Sequence, residues 1–509
     1  MSATEVVPSQ QRKLITLAVM AAALMQVLDT TIVNVALPHM QGSLSATTDQ
    51  ISWVLTSYLV ASAIFMPLTG YFTDTLGRKK YLLISIAGFV VTSVLCGAAE
   101  NITQIVVFRF LQGAFGAALV PLSQAIMTDI YPEEERGTAM AIWGMGIMVG
   151  PILGPTLGGY LTEMFSWRWN FYINVPVGIA CMLLTWQVLP ATASKVRKMD
   201  WLGLILISTC IGAAQYFLDQ GNRADWFNST AISIAALLAV LSLLGFLLHC
   251  IGKSADETIF DLKIFTDRNF TIASILLAMF GLGLYGAMVI LPIMLENLFH
   301  YPVLTTGLIM APRGISGLIS MIVVGKLIKF IDPRWLIIGG IIFSAVGMAF
   351  GTVYNLNLSY GWIIGPIILQ GFGLGMIFVP LSAVAFSTLP ASMRAEAAGL
   401  FSLLRTIGSS IGISIVAMLL VRHTQQSWNQ MGGHINIYNP AVQRFLASMH
   451  LTAQSRLGST ILGYTLGRQV QMKAFVNIFA FITWSIVIML PLVLLLKKNK
   501  RPVSAVVME

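Results

Sequence analysis

Four ionisable side chains stand where the surrounding sequence is apolar: Asp29, Arg109, Arg313 and Arg405. Asp29 falls about fifteen residues into a run (14–38) that opens LITLAVMAAALMQV and closes LDTTIVNVALP. A carboxylate that deep in an apolar segment is costly to bury, and such residues usually handle protons, ions or substrate. Burial disfavours its charge and a nearby cation favours it, so a change of surroundings changes its hold on a proton. The competing reading is a carboxylate permanently paired with an arginine for structure alone. On a helix, Gln26, Asp29, Val33 and Ala36 share one face. Arg109 opens RFLQGAFGAALVP (109–121), with Gln112, Gly113 and Gly116 on its face. An arginine keeps its charge, so it serves as a fixed counter-charge to a titrating carboxylate; the alternative is a helix-packing arginine bonded to backbone carbonyls. Gln26, Gln112 and Arg405 (in SLLRTIGSSIG) are the candidates to line a substrate cavity. Arg405 either faces that cavity, to meet an anion or Asp29, or snorkels or caps a broken helix, and Arg313, beside Pro312, reads as structural.

The elements that must position these groups are set by composition. The 509 residues are 56% hydrophobic and 10% charged, with mean hydropathy +0.80, against roughly 25% charged in soluble domains. Apolar segments of spanning length fall at about 14–37, 51–71, 81–99, 103–124, 138–160, 171–190, 201–219, 229–251, 270–292, 304–325, 334–353, 360–383, 398–421 and 473–496. These predict an all-α integral membrane protein. Arg12 and Lys13 before the first run do not mark a signal peptide, because the run carries Asp29 and similar runs follow.

The net charge of +9 does not point to nucleic acid, because the basic residues sit in short connections. Arg12/Lys13, Arg78/Lys79/Lys80, Arg136, Lys195/Arg197/Lys198, Lys253/Lys263/Arg268, Lys326/Lys329/Arg334, Arg394 and Lys497/Lys498/Lys500/Arg501 fall on alternate sides of the spans. The opposite short connections hold only Arg168 and Arg223. That asymmetry predicts both termini in the cytoplasm. It leaves the long connection 422–472 outside, with an amphipathic helix expected at 440–456. Asp219, Glu100 and Glu296 read as boundary residues.

The chain repeats itself. LQGAFGAALVPLS (111–123) recurs as LQGFGLGMIFVPLS (369–382), and both Gln112 to Gln370 and Pro132 to Pro390 are 258 positions apart. A six-helix half (1–190), a linker with two inserted helices (191–269) and a second six-helix half (270–509) follow from that offset. Parallel six-helix repeats place a substrate site between the halves near the midplane. Ile367 stands where Arg109 stands in the first copy, so the charge is not needed to build the helix.

Two further patterns carry possible motion. In GMGIMVGPILGPTLGG (144–159) Gly146, Gly150, Gly154 and Gly158 recur every fourth residue, with Pro151 and Pro155 between them. Small residues at that spacing let a neighbouring helix approach closely; a hinge or a seal against proton leak is the further reading. In GYFTDTLGRKK (70–80) three cations alone would set topology, but Gly70, Asp74, Gly77 and Arg78 suggest a conformational gate. The four cysteines show no ligand spacing and read as free thiols. We find no GxxxxGK[ST], H-E-x-x-H, nucleophile elbow or CxxC, so no ATP, metal, cofactor or enzymatic reaction is expected.

These motifs together resemble the major facilitator superfamily, and within it the fourteen-helix drug:proton antiporters of the EmrB type. LDTTIVNVALP resembles that family's first-helix motif, GYFTDTLGRKK its loop signature (Phe72 and Thr75 depart from it), and RFLQGAFGAALVP its fourth-helix motif, whose arginine is implicated in proton transfer. The stripe 144–159 resembles the antiporter motif, and WRWNFYINVPVG (167–178) is typical of the branch. The resemblance implies proton-driven export of amphipathic or lipophilic drugs and toxins through the inner membrane. It also implies a periplasmic adaptor and an outer-membrane channel as partners, with 422–472 a candidate contact. The expected mechanism is rocking of two halves, with Asp29 titrating under the influence of Arg109 and with Asp74 and Arg78 pairing across the halves. Alternatives are a metabolite, siderophore or amino-acid exporter, or a membrane receptor that has lost transport.

Overall fold

Hydrocarbon offers the backbone no hydrogen-bond partners, so spanning segments must satisfy every peptide group internally. In the computed structural model, which describes residues 9–132, 135–192, 198–221, 223–251, 253, 257–259, 261–436 and 438–497, every regular element is accordingly helical. Lys195, Arg197, Lys498, Lys500 and Arg501 lie outside the described residues.

Fourteen helices among the described residues are long and apolar enough to cross a membrane. They are α1 (Gln10–Ser43), α2 (Gln50–Leu76), α3 (Arg78–Ala98), α4 (Ile102–Ile130), α5 (Arg136–Met164), α6 (Trp169–Val188), α7 (Trp201–Gln220), α8 (Thr230–Cys250), α9 (Arg268–Leu298), α10 (Thr305–Leu327), α11 (Pro333–Val353), α12 (Tyr360–Ala385), α13 (Arg394–Gly432) and α14 (Arg456–Val493). Local chemistry sets several ends. Thr47 and Gln50 form a capping box before α2, and the side chains of Asn101, Asp200, Asp267, Asp332 and Ser455 cap α4, α7, α9, α11 and α14. Gly77 ends α2 at φ 78°, and a Cβ there would meet the Thr192 carbonyl at 2.8 Å.

The repeated helices differ in one respect. α4 is broken at Ala117–Ala118, where Pro121 cannot complete the turn before it, whereas α12 runs unbroken past Pro366 and Pro380. The last two spans depart from expectation. α13 and α14 have 39 and 38 residues, where about 20 suffice to cross a bilayer. They therefore continue beyond it, and the expected connection 422–472 is largely their helical ends, joined through a short helix, Pro440–Ala447. The apolar residues that stabilise this hairpin, such as Val442/Leu446 and Leu462/Leu466, come four apart rather than in runs, so a search for long apolar stretches passes over them. Trp428, Val442, Leu462 and Leu466 line a cavity of about 510 Å³ within it.

The two halves meet at the end of the bundle that carries the basic connections. There Thr138 of α5 donates to the Gly325 carbonyl of α10 at 3.1 Å. Gly70 of α2 lies so near α13 that a Cβ would sit 2.6 Å from that of Glu396. Toward the other end, α7 bridges the halves. Asp219 accepts from Thr56 of α2 at 2.5 Å, and Trp53 stacks on Tyr216 with ring centroids 6.0 Å apart. On its other side Gln215 exchanges hydrogen bonds of 2.8 and 3.0 Å with Ser410 of α13.

Candidate functional site

Asp29 is 0% exposed, and two other helices of the first half supply its described partners. From α4, Arg109 Nη1 donates to Oδ2 at 2.6 Å and Gln112 Nε2 to Oδ1 at 3.0 Å. From α6, Asn174 Nδ2 donates to Oδ1 at 2.8 Å. Arg109, also 0% exposed, is itself held on several sides. Its Nε donates to the Val54 carbonyl at 3.1 Å, its Nη1 to Gln112 Oε1 at 2.8 Å, and its guanidinium lies 4.2 Å from the centre of the Tyr58 ring. A charge-assisted pair of this length is strong where water is excluded, yet each ion has been fully desolvated to form it. Every described partner of the Asp29 carboxylate is a hydrogen-bond donor. Protonation would remove the charge that balances Arg109 and leave a buried cation to be compensated elsewhere.

The helices are placed for this by small residues. The stripe in α5 packs on α1: Cβ atoms at Gly146, Gly150 and Gly158 would meet Met20, Val27 and Ile32 at 2.6, 2.7 and 2.7 Å, and one at Gly154 would overlap Thr31. Thr31 donates to the Gly150 carbonyl at 3.2 Å. Pro151 and Pro155 lie within the same helix. Gln26, one turn from Asp29, accepts from the Val120 N–H at 3.1 Å and so satisfies a donor at the break in α4.

The other predicted residues fall apart from this cluster. Arg78 pairs with Asp129 of its own half, and Arg394 of the second half donates to the same carboxylate at 2.6 Å. Asp129–Arg394 is thus an ion pair that crosses the halves, while the pair made by Arg78 stays within one half. Asp74 is half-buried on the last turns of α2. Gly70 and Gly77 occupy close approaches to Glu396 and Thr192. Arg313 and Arg405 do not reach Asp29, whose described partners all belong to the first half. Arg313 donates to Gln370 Oε1 at 2.6 Å, and its Nε and Nη1 have no partner among the described residues. The duplicated glutamine therefore holds a buried arginine in each half, Arg109 from its own helix and Arg313 from a neighbour.

Sequence reasoning passed over Asn174, Asp129 and Tyr58. Asn174 stands in WRWNFYINVPVG, where a carboxamide inside an apolar span was the available signal. Asp129 closes α4 beside Pro132, at a position that reads as a boundary.

Comparison with known proteins places this geometry in context. The family model described as Major Facilitator Superfamily matches residues 19–413. The chain is 35% identical over 466 residues to the multidrug export protein EmrB of Haemophilus influenzae, covering 91% of this chain and 90% of that one. It is 34% identical over 489 residues to the fatty acid resistance protein FarB of Neisseria gonorrhoeae, covering 95% and 96%. Among solved structures, the human organic anion transporter MFSD10 superposes with a TM-score of 0.61 at 14% identity, covering 94% of this chain and all of that one, a likeness of fold alone.

Proposed function

This chain belongs to the Major Facilitator Superfamily, and on that premise we propose that it is a proton-driven exporter of amphipathic or lipophilic drugs and toxins. It is a multi-pass membrane transporter rather than an enzyme of known type. Relatives at 35% identity that carry the name multidrug export protein support the activity. In this reading it sits in the inner membrane with both termini in the cytoplasm, needs no cofactor beyond the proton gradient, and presents the α13–α14 hairpin outside, where an adaptor leading to an outer-membrane channel would bind.

One observation carries the coupling: a fully buried carboxylate whose charge is balanced by a single arginine and two amides, all within one half. A proton arriving from outside neutralises Asp29 and frees Arg109 from it. The first half then repacks, and α1 and α5 move as one body because their glycine contact is close. Loss of the proton to the cytoplasm restores the pair. Substrate and proton alternate, so the inward proton gradient drives outward export. Asp129, Arg394, Thr138 and Gly70 join the halves at the end that carries the basic connections, which in this reading is the cytoplasmic one.

The test is exchange in proteoliposomes. Asp29→Asn keeps the shape and removes the titration, so drug-dependent proton movement is lost while the protein still inserts. Normal exchange in that variant sinks the assignment.

A further inference from the structure

Charge is divided unevenly at the end of the bundle opposite the basic connections. The short connections there hold Glu100, Glu163, Asp219, Asp225 and Glu296 among their charges, against Arg168 and Arg223. The hairpin made by α13 and α14 is the reverse. Residues 422–473 carry Arg422, Arg444, Arg456, Arg468 and Lys473, with His423, His434 and His450, and hold no aspartate or glutamate. None of these five cations makes an ion pair among the described residues. Arg422, Arg444, Arg456 and Lys473 are exposed. Like charges gathered without a counter-charge repel one another, so this cluster does not stabilise the hairpin that carries it.

Lipid does not reach the tip of the hairpin. α13 starts at Arg394, which pairs with Asp129 at the basic end, and has 39 residues. At 1.5 Å per residue it measures roughly 58 Å, whereas a bilayer with its headgroups is about 40–45 Å thick. The far end of α13 and the short helix Pro440–Ala447 therefore stand more than about 10 Å beyond the headgroups. Large apolar side chains are nevertheless exposed there: Tyr438 by 82%, Leu457 by 60% and Met449 by 45%. Against lipid such exposure is ordinary, but in water, grouped and bordered by cations, it marks contact with another molecule.

The cavity of about 510 Å³ between these helices gives that contact a place to anchor, since it falls in the size range of ligand pockets. Trp428, Val442, Leu462 and Leu466 form apolar walls, Asn429 and Ser459 add polar groups, and no charged residue lines it. Missing side chains make the space. A Cβ at Gly463 would meet nothing within 4 Å, and one at Gly432 would meet only Leu466, at 3.8 Å. Cations border it on two sides. Arg456 stands one turn before Ser459 on α14, and exposed Arg444 lies on the side of the short helix opposite buried Val442 and Leu446.

We propose that this hairpin is the docking surface for an acidic amphipathic helix of a partner protein outside the membrane. The helix lays apolar side chains in the cavity between α13 and α14, and its carboxylates pair with Arg444 and Arg456 through parallel N–H donors. A basic segment is rejected by repulsion, and an uncharged one fills the cavity but leaves the arginines unpaired. The assignment rests on the reading that places the hairpin outside, and it adds the chemistry of the partner.

The test uses three fluorescein-labelled helical peptides that share one leucine face and carry Glu, Gln or Lys on the other. Binding to the full-length protein in phosphatidylcholine nanodiscs is read by fluorescence anisotropy, with empty nanodiscs as the blank. The Glu peptide is expected to bind at least tenfold more tightly than the other two, and to lose that advantage at high salt. Arg444→Gln with Arg456→Gln removes the preference, while Gly463→Trp, whose indole fills the cavity, weakens the Glu and Gln peptides alike; melting curves establish that the variants are folded. No preference for the Glu peptide, an intact preference in the double variant, or unchanged binding in Gly463→Trp overturns the assignment. So does binding of phosphatidylglycerol vesicles through the same arginines with no peptide bound, which makes the hairpin a lipid contact. Orientation is read separately with an impermeant maleimide at Tyr438→Cys. Labelling of right-side-out vesicles upholds the outside placement whatever the peptides do, and labelling of inverted vesicles alone overturns that placement and the docking with it.

Discussion

Asp129 offers a quantitative handle on the rocking motion. It accepts from Arg78 in its own half and from Arg394, at 2.6 Å, in the other. Asp129→Asn keeps the shape and removes the charge. An exposed ion pair contributes about 0.2–1 kcal/mol, and stripping one partner from a fully buried pair costs about 3–5 kcal/mol. The side chains of Asp129 and Arg394 are 14% and 11% exposed, so the cross-half pair lies between these limits, at about 2 kcal/mol. Of the two ion pairs of Asp129 only the one to Arg394 spans the halves and is lost on opening, and a 2 kcal/mol change shifts the open population about thirtyfold. The assay is maleimide labelling of Ala141→Cys, a position 2% exposed beneath Gly325 at the seam. Labelling should accelerate by about that factor in Asp129→Asn and in Arg394→Gln. It should change far less in Arg78→Gln, whose pair stays within one half. Equal acceleration in all three variants, or none in Asp129→Asn, would refute the reasoning.

Three further outcomes follow from the packing. Gly154→Ala forces a methyl into Thr31 and should destabilise the α1–α5 contact by about 1–3 kcal/mol, lowering the melting temperature in detergent and the exchange rate. Gly159→Ala, where a Cβ first meets Val35 at 3.9 Å, should leave both unchanged. Gly70→Ala pushes against Glu396 and should speed labelling at Ala141→Cys, by the same assay. Because α7 touches both halves, tying it to each with oxidised cysteine pairs at Thr56/Asp219 and Gln215/Ser410 together should arrest exchange, and reduction should restore it.

Much of the architecture was legible because lipid is a severe solvent. Runs of apolar residues had to be helices, and a charge inside one stood out, so Asp29, Arg109 and Gln112 were recognisable as a possible group before their contacts were known. The glycines of α5 were legible by spacing, though their partner helix was not. Asn174 was hidden because an amide in a span is common enough to pass, and only the packing of α6 on α1 brings it to Asp29. The part of Asp129 at the basic end was missed for a similar reason. Asp74 and Arg78 are neighbours in the loop motif, while Asp129 reaches Arg78 from the end of another helix. The outer hairpin escaped because its apolar residues are spaced by helical turns among Gln, Asn and Ser rather than gathered into a run.

The claim that Asp29 carries the coupled proton can be read directly from proton release. Substrate is added to purified protein in weakly buffered solution, and a pH-sensitive dye follows the protons set free. The account predicts release on substrate binding in the natural chain, none in Asp29→Asn, and substrate binding retained in that variant. Equal release from both proteins would contradict it.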